Sequence, residues 1–135
     1  MDPTQLEEFA ARYTAAWCSH DPASVASFFE DTGSLTINGA APSVGRSAIA
    51  TAASAFMSAF PDLVVRMDSV SQHGNRIVYD WTLTGTNTGP GGGGGRVQIS
   101  GHEEWRFGED GLIAESLGHF DEADYQRQID AGRAM

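Results

Sequence analysis

Apolar positions recur along this chain at two periods, helical in its first part and close to two from residue 63 onward. Leu6, Phe9, Ala10, Tyr13 and Trp17 fall on one helical stripe, which predicts a first helix with a core-facing side. Thr4 followed by Glu7 can form a capping box at its start, and Asp2-Pro3 is an alternative beginning. His20-Asp21-Pro22 breaks this helix and opens a second, with Asp21 suited to the N-cap. Val25, Phe28 and Phe29 supply its apolar side, and residues 30–33 end it. A short strand over 34–38 and a Gly/Pro/Ser loop over 39–45 follow. Residues 46–60 form a third helix with Ile49, Ala52, Ala53, Phe56 and Phe60 buried, terminated by Pro61.

Strand periodicity then takes over. Residues 63–71 and 76–86 are strands, and in the second Ile77, Tyr79, Trp81 and Leu83 form the inward set. Residues 96–121 read as a long hairpin. Its first strand puts Val97, Ile99, Gly101, Glu103, Trp105 and Phe107 on one side, apolar except for Glu103. Asp110-Gly111 signals either a two-residue primed turn or a type I turn with a glycine bulge. Only the bulged, three-residue loop aligns Ile113, Leu117, His119 and Asp121 with the Phe107 side, so that loop is preferred. It brings Glu103, Glu115, His119 and Asp121 to the inner surface, where polar groups on an apolar wall imply a pocket. Residues 122–131 close the chain as a short helix or extended tail.

Helices first and strands afterwards, with no repeat or linker, predict one α+β domain over residues 1–135 with its helices on one face of the sheet. A hydrophobic fraction of 41% supports a packed core. The net charge of −10 argues against nucleic acid and against anionic membrane surfaces. All eight basic residues are arginine, which excludes lysine Schiff-base chemistry and a pyridoxal phosphate site. The single Cys18 forms no intrachain disulfide and suits a reducing cytoplasm. No signal peptide or membrane-spanning apolar run is read, so a cytoplasmic protein is expected. Five consecutive glycines, Gly91 to Gly95, lack the Lys-Ser/Thr and the following helix of a phosphate loop, and read as a mobile connection beside a pocket mouth.

The ordered phrases AWCSHDPASVASFFED, GRSAI, FPDL, YDWTLTGTNTG, WRFGEDGLI and HFDEADYQRQ resemble the SnoaL-like polyketide cyclase branch of the nuclear transport factor 2-like, or ketosteroid isomerase-like, superfamily. The resemblance covers nearly the whole chain. It implies a cone-shaped α+β barrel, three N-terminal helices packed on a strongly curved, mostly antiparallel sheet, with a deep apolar pocket and homodimers formed through the sheet. In the cyclases an Asp at the end of the last long strand acts as acid/base in aldol closure, and Asp121 matches it. In the isomerases a helix 1 tyrosine and a strand acid hold the developing enolate oxygen, and Tyr13 and Glu103 match those. The isomerase base position falls on Ile37, beside Asn38, so that route is not carried over.

The expected composite site therefore has Asp121 as general acid/base tuned by His119, with Tyr13 and Glu103 polarising a carbonyl. An apolar pocket would keep Glu103 protonated and donating, as the resemblance to the ketosteroid isomerases implies for an acid at this position. Each residue also has a plainer reading: Asp121 as the cap of the last helix, His119 and Glu103 as core, and Tyr13 as a core aromatic with its tip bonded. Trp17, Phe28, Phe56, Phe60, Trp81 and Trp105, with Leu117 on the last strand, are the candidate pocket wall; core and wall are not separable from sequence. No cofactor is expected. No metal is expected either, since the histidines show neither HxH nor HExxH spacing and His102 and Glu104 fall on the outer face. The partner expected is a small hydrophobic or carbonyl-bearing molecule, handled by cyclisation or isomerisation. The alternatives are a non-catalytic ligand-binding module and a hydrolase in which Asp121 activates water.

Overall fold

The computed structural model describes residues 2–133. Its elements are α1 (Pro3–Cys18), α2 (Pro22–Ala26), β1 (Phe29–Ile37), β2 (Ser43–Val44), α3 (Arg46–Ala59), β3 (Val64–His73), β4 (Arg76–Thr86), β5 (Arg96–Phe107), β6 (Ile113–Phe120) and α4 (Glu122–Arg133). The α+β class is as expected, and α4 settles the closing segment as a full helix. Strand order is β2-β1-β6-β5-β4-β3 in one open sheet, antiparallel except where β1 runs parallel to β6. Among the described residues no helix is long and apolar enough to cross a membrane.

Of the two starts open for α1, the structure takes Asp2-Pro3: the Asp2 carboxylate accepts from the Gln5 amide, and the Gln5 side chain accepts in turn from the Asp2 amide. Phe29 begins β1 instead of ending α2, because a five-residue helix is capped by Ser27 and the aromatic then pairs with Ile113. The core forms where α1 lies over the sheet. Phe9 and Tyr13 meet Trp105 edge-on at 5.7 and 5.1 Å between ring centroids, and Tyr79 stacks on Trp105 at 4.8 Å. Phe29, Trp105, Phe60 and Ile49 are wholly buried, each burial contributing about 2 kcal/mol.

The glycine run is docked. Asn87 accepts from the Gly94 amide at 2.8 Å and donates to the Gly95 carbonyl at 2.9 Å. A Cβ on Gly95 would stand 2.6 Å from the Gly132 Cα, so only two glycines let the loop seat on the end of α4. The expectation of a mobile connection is corrected by this contact.

The decisive detail of the sheet lies in the hairpin. Gly111 adopts φ +76° in a turn whose Gly108 amide donates to Leu112. Phe107 then pairs with Ile113, as expected, but Arg106 pairs with Glu115, leaving Ala114 as an extra residue. From that bulge onward the inward set is Ser116, Gly118 and Phe120. Glu115, Leu117 and His119 turn outward, opposite to the sequence expectation.

Candidate functional site

Glu103 reaches the interior because β5 alternates, placing it between Ile99 and Trp105 on the buried side. It is 7% exposed. A carboxyl taken from water needs donors, and three side chains supply them. The Tyr13 hydroxyl donates to Oε1 at 2.9 Å, the Trp105 indole at 3.1 Å and the Ser116 hydroxyl at 2.7 Å. Oε2 has only a longer approach from the same tyrosine, 3.2 Å. Burial raises the Glu103 pKa from its ordinary value, while the bonds from Ser116, Trp105 and Tyr13 oppose that rise. Burial, then the neighbouring Glu103 charge, pushes Tyr13 well above its usual value, so it stays protonated and donating. With Oε1 saturated by donors, the proton of the neutral acid belongs on Oε2.

Glu103 forms part of the wall of an apolar cavity that opens to solvent. The wall is otherwise apolar or aromatic, notably Trp17, Phe56, Tyr79, Trp81, Ile99 and Phe120, and Glu103 is its one carboxyl group among the described residues. The mouth adjoins a second hollow bounded by the first turns of α4, through Glu122, Ala123, Tyr125 and Gln126, and by Ile37, Phe56 and Phe120. Behind Glu103, Tyr79 shares a short hydrogen bond with Thr14, whose hydroxyl also donates to the Ala10 carbonyl. Burial raises the Tyr79 pKa strongly, so this hydroxyl is neutral too.

The structure unites Tyr13 with Glu103 and separates them from the other two expected residues. Asp121 is exposed at the start of α4, where its carboxylate accepts from the Asp124 amide at 3.0 Å. His119 borders the cavity, but its imidazole lies with Glu104 on the far face of the sheet, Nε2 to Oε2 3.4 Å. Glu115 likewise points outward and meets Arg76 at 2.8 Å. The physical reason is the Ala114 bulge, which reverses the side-chain parity of β6. Of the expected wall, Trp17, Phe56 and Trp81 line the cavity. Phe60 and Trp105 are core, Phe28 packs against that core, and Leu117 lies outside, opposite Glu104. Ser116 is a site residue that sequence reasoning does not find. A buried glutamate at 103 requires donors, and the residue paired with Trp105 is where one can be sought. Gly118 escapes it as well: it sits opposite Glu103 and leaves open the space that a side chain would fill.

Comparison with known proteins agrees with this architecture. The family model of the SnoaL-like domain matches residues 10–116. A putative SnoaL-like polyketide cyclase from Jannaschia sp. CCS1 superposes with a TM-score of 0.84 at 19% identity, over 97% of this chain and 96% of that one. A hypothetical protein of ketosteroid isomerase-like fold from Catenulispora acidiphila DSM 44928, in complex with trimethylamine, gives 0.79 at 14% identity, over 91% and 92%. SalBIII, an epoxide hydrolase/cyclase-like enzyme of pyran ring formation in the polyether salinomycin, gives 0.77 at 17% identity, over 91% and 95%. No curated protein matches the sequence.

Proposed function

Because the chain belongs to the SnoaL-like family, we propose that its cone binds a small apolar molecule bearing a carbonyl or comparable oxygen, and that Glu103 moves a proton on it. One observation carries this reading: the one carboxyl in the wall of an apolar cavity is buried, raised in pKa, and held on one oxygen by Tyr13, Trp105 and Ser116. In its neutral form Glu103 donates from Oε2 to the oxygen on which enolate or alkoxide charge develops. In its ionised form it is a stronger base than a solvated carboxylate and can take a proton from the carbon beside a carbonyl. Removing a proton from one carbon and returning it to another completes an isomerisation with a single carboxyl. Protonating a carbonyl or epoxide oxygen assists ring closure, the kind of reaction named for the Jannaschia and SalBIII neighbours. Tyr13 acts through Glu103, fixing its orientation and charge. Pairing of two copies through the sheet belongs to the same reading, and sedimentation velocity tests it.

A second reading has its own support. The expected acid/base residues Asp121 and His119 lie outside the cone, which leaves a pocket with one acid and suits a binding module. Hydrolysis with Asp121 activating water gains nothing from an exposed helix cap.

The test is a panel of isomerisable enones and cyclisable diketones, with a fluorescent naphthol as a binding probe. Glu103→Gln is expected to abolish turnover while naphthol affinity stays within about threefold. Turnover that survives Glu103→Gln removes the chemistry from this residue. Saturable naphthol binding without turnover of any panel member by the unsubstituted protein selects the binding module.

A further inference from the structure

The outer face of β5 and β6 carries a second cluster, separate from the cone. We propose that His102, Glu104 and His119 form a binding site for a divalent transition-metal ion of the zinc class. His102 and Glu104 alternate on β5, so both project outward, and His119 stands directly across from His102 on β6. The two imidazole rings are 4.9 Å apart between centroids and tilted by 31°. His119 Nε2 lies 3.4 Å from Glu104 Oε2, and one ligand atom from each of the three residues falls within 4.8 Å of the others.

These distances match what the ion requires. Zinc bound tetrahedrally at about 2.0–2.1 Å sets its ligand atoms about 3.3 Å apart. The His119–Glu104 edge already has that length, and His102 closes the triangle by side-chain rotation on strands whose backbones are fixed by the ladder. Two neutral imidazoles and one carboxylate are a zinc-type donor set, leaving a fourth position to water. In a single copy of the chain, side-chain exposures of 45% for His119 and 36% for Glu104 leave the cluster open to an arriving ion. Asp80, the β4 partner of His102, adds a carboxylate to this face; its arginines there are Arg106, two residues beyond Glu104 and opposite Glu115, and Arg76, which Glu115 engages at 2.8 Å. No linear motif reveals the site, because its ligands come from two strands and the Ala114 bulge is what turns His119 outward.

The experiment uses the full chain without an affinity tag, titrated with Zn²⁺ against a chromophoric chelator and with Co²⁺ followed by its visible bands. One Zn²⁺ per chain and a four-coordinate Co²⁺ spectrum are expected. His102→Gln and His119→Gln should each weaken Zn²⁺ binding about tenfold or more, while Glu7→Gln on α1 leaves it unchanged. Circular dichroism checks that the variants fold. Should either histidine variant fail to fold, diethylpyrocarbonate labelling of the unsubstituted chain decides instead: Zn²⁺ should protect His102 and His119 and leave His20 and His73 reactive. Absence of saturable Zn²⁺ binding below about 100 μM, binding that survives both histidine substitutions, or labelling indifferent to Zn²⁺ overturns the proposal.

Discussion

The Tyr13 hydroxyl donates to Glu103 Oε1 at 2.9 Å across a sequence separation of 90 residues, inside a site closed to solvent on the helix side. Removing it leaves a buried carboxyl with two donors in place of three. Tyr13→Phe is therefore expected to cost about 1–2 kcal/mol in chemical denaturation and to raise the Glu103 pKa further. Infrared titration of the carboxyl band, with Glu103→Gln as the blank, reads the second effect.

The raised pKa of Glu103 also fixes the sign of a pH dependence. Between its unfolded value, about 4.3, and its higher folded value, the native chain holds more proton than the unfolded chain. The contribution of Glu103 to stability is thus complete below the unfolded pKa and is lost as pH rises through the folded one. Glu103→Gln removes that slope. The stability difference between the unsubstituted protein and this variant should move in the variant's favour as pH rises through the window, measured by urea midpoints. A difference that stays flat with pH would mean the carboxyl is not desolvated.

Asp121→Ala separates capping from chemistry. It should destabilise the chain by about 1 kcal/mol, with faster amide exchange in the first turn of α4. Naphthol binding and the Glu103 titration should not change. A loss of turnover with intact binding would instead return Asp121 to the reaction.

Deleting Ala114 removes the extra residue of β6, so Ile113 and Glu115 become neighbours on opposite faces and Ser116, Gly118 and Phe120 keep their inward places. Glu103 should therefore keep its 2.7 Å bond from Ser116. We expect a loss of no more than about 1–3 kcal/mol in urea denaturation, with the Glu103 titration unchanged. Ser116→Ala should also cost about 1–3 kcal/mol, but it should raise the Glu103 pKa further.

Gly118→Leu tests the cavity itself. A Cβ there meets nothing closer than the Thr36 carbonyl at 3.5 Å, so the backbone accepts it, and the added side chain occupies the space facing Glu103. Naphthol affinity should fall at least about tenfold while the thermal midpoint changes by only a few degrees.

How much of this is legible in the sequence depends on the residue. Tyr13 and Glu103 each stand as a polar group on an otherwise apolar stripe, and both stripes follow regular periods, so their meeting can be anticipated. The fold class follows from helices preceding strands. His119, Leu117 and Glu115 resist placement, because strand parity is an all-or-none property and no residue type marks Ala114 as the extra one. Phe29 is not separable from α2 by periodicity over so short a segment. The glycine run reads as free for a related reason: what holds it is another glycine, Gly132, close in space and remote in sequence.

That contact bears on how α4 is held. The first turns of α4 bound the hollow that shares Ile37, Phe56 and Phe120 with the wall of the cone, and its later turns are pinned to β5 by Gln128, which bonds the amide and carbonyl of Gln98, and seated on the glycine run. Ordering a glycine costs more backbone entropy than ordering any other residue, so such a seat is weak in proportion to the number of glycines it immobilises. Heating, or lengthening the run by one residue, loosens the helix without touching any wall residue. The hold on α4 is then shared between one glutamine and a run of glycines, neither of which meets the wall of the cone.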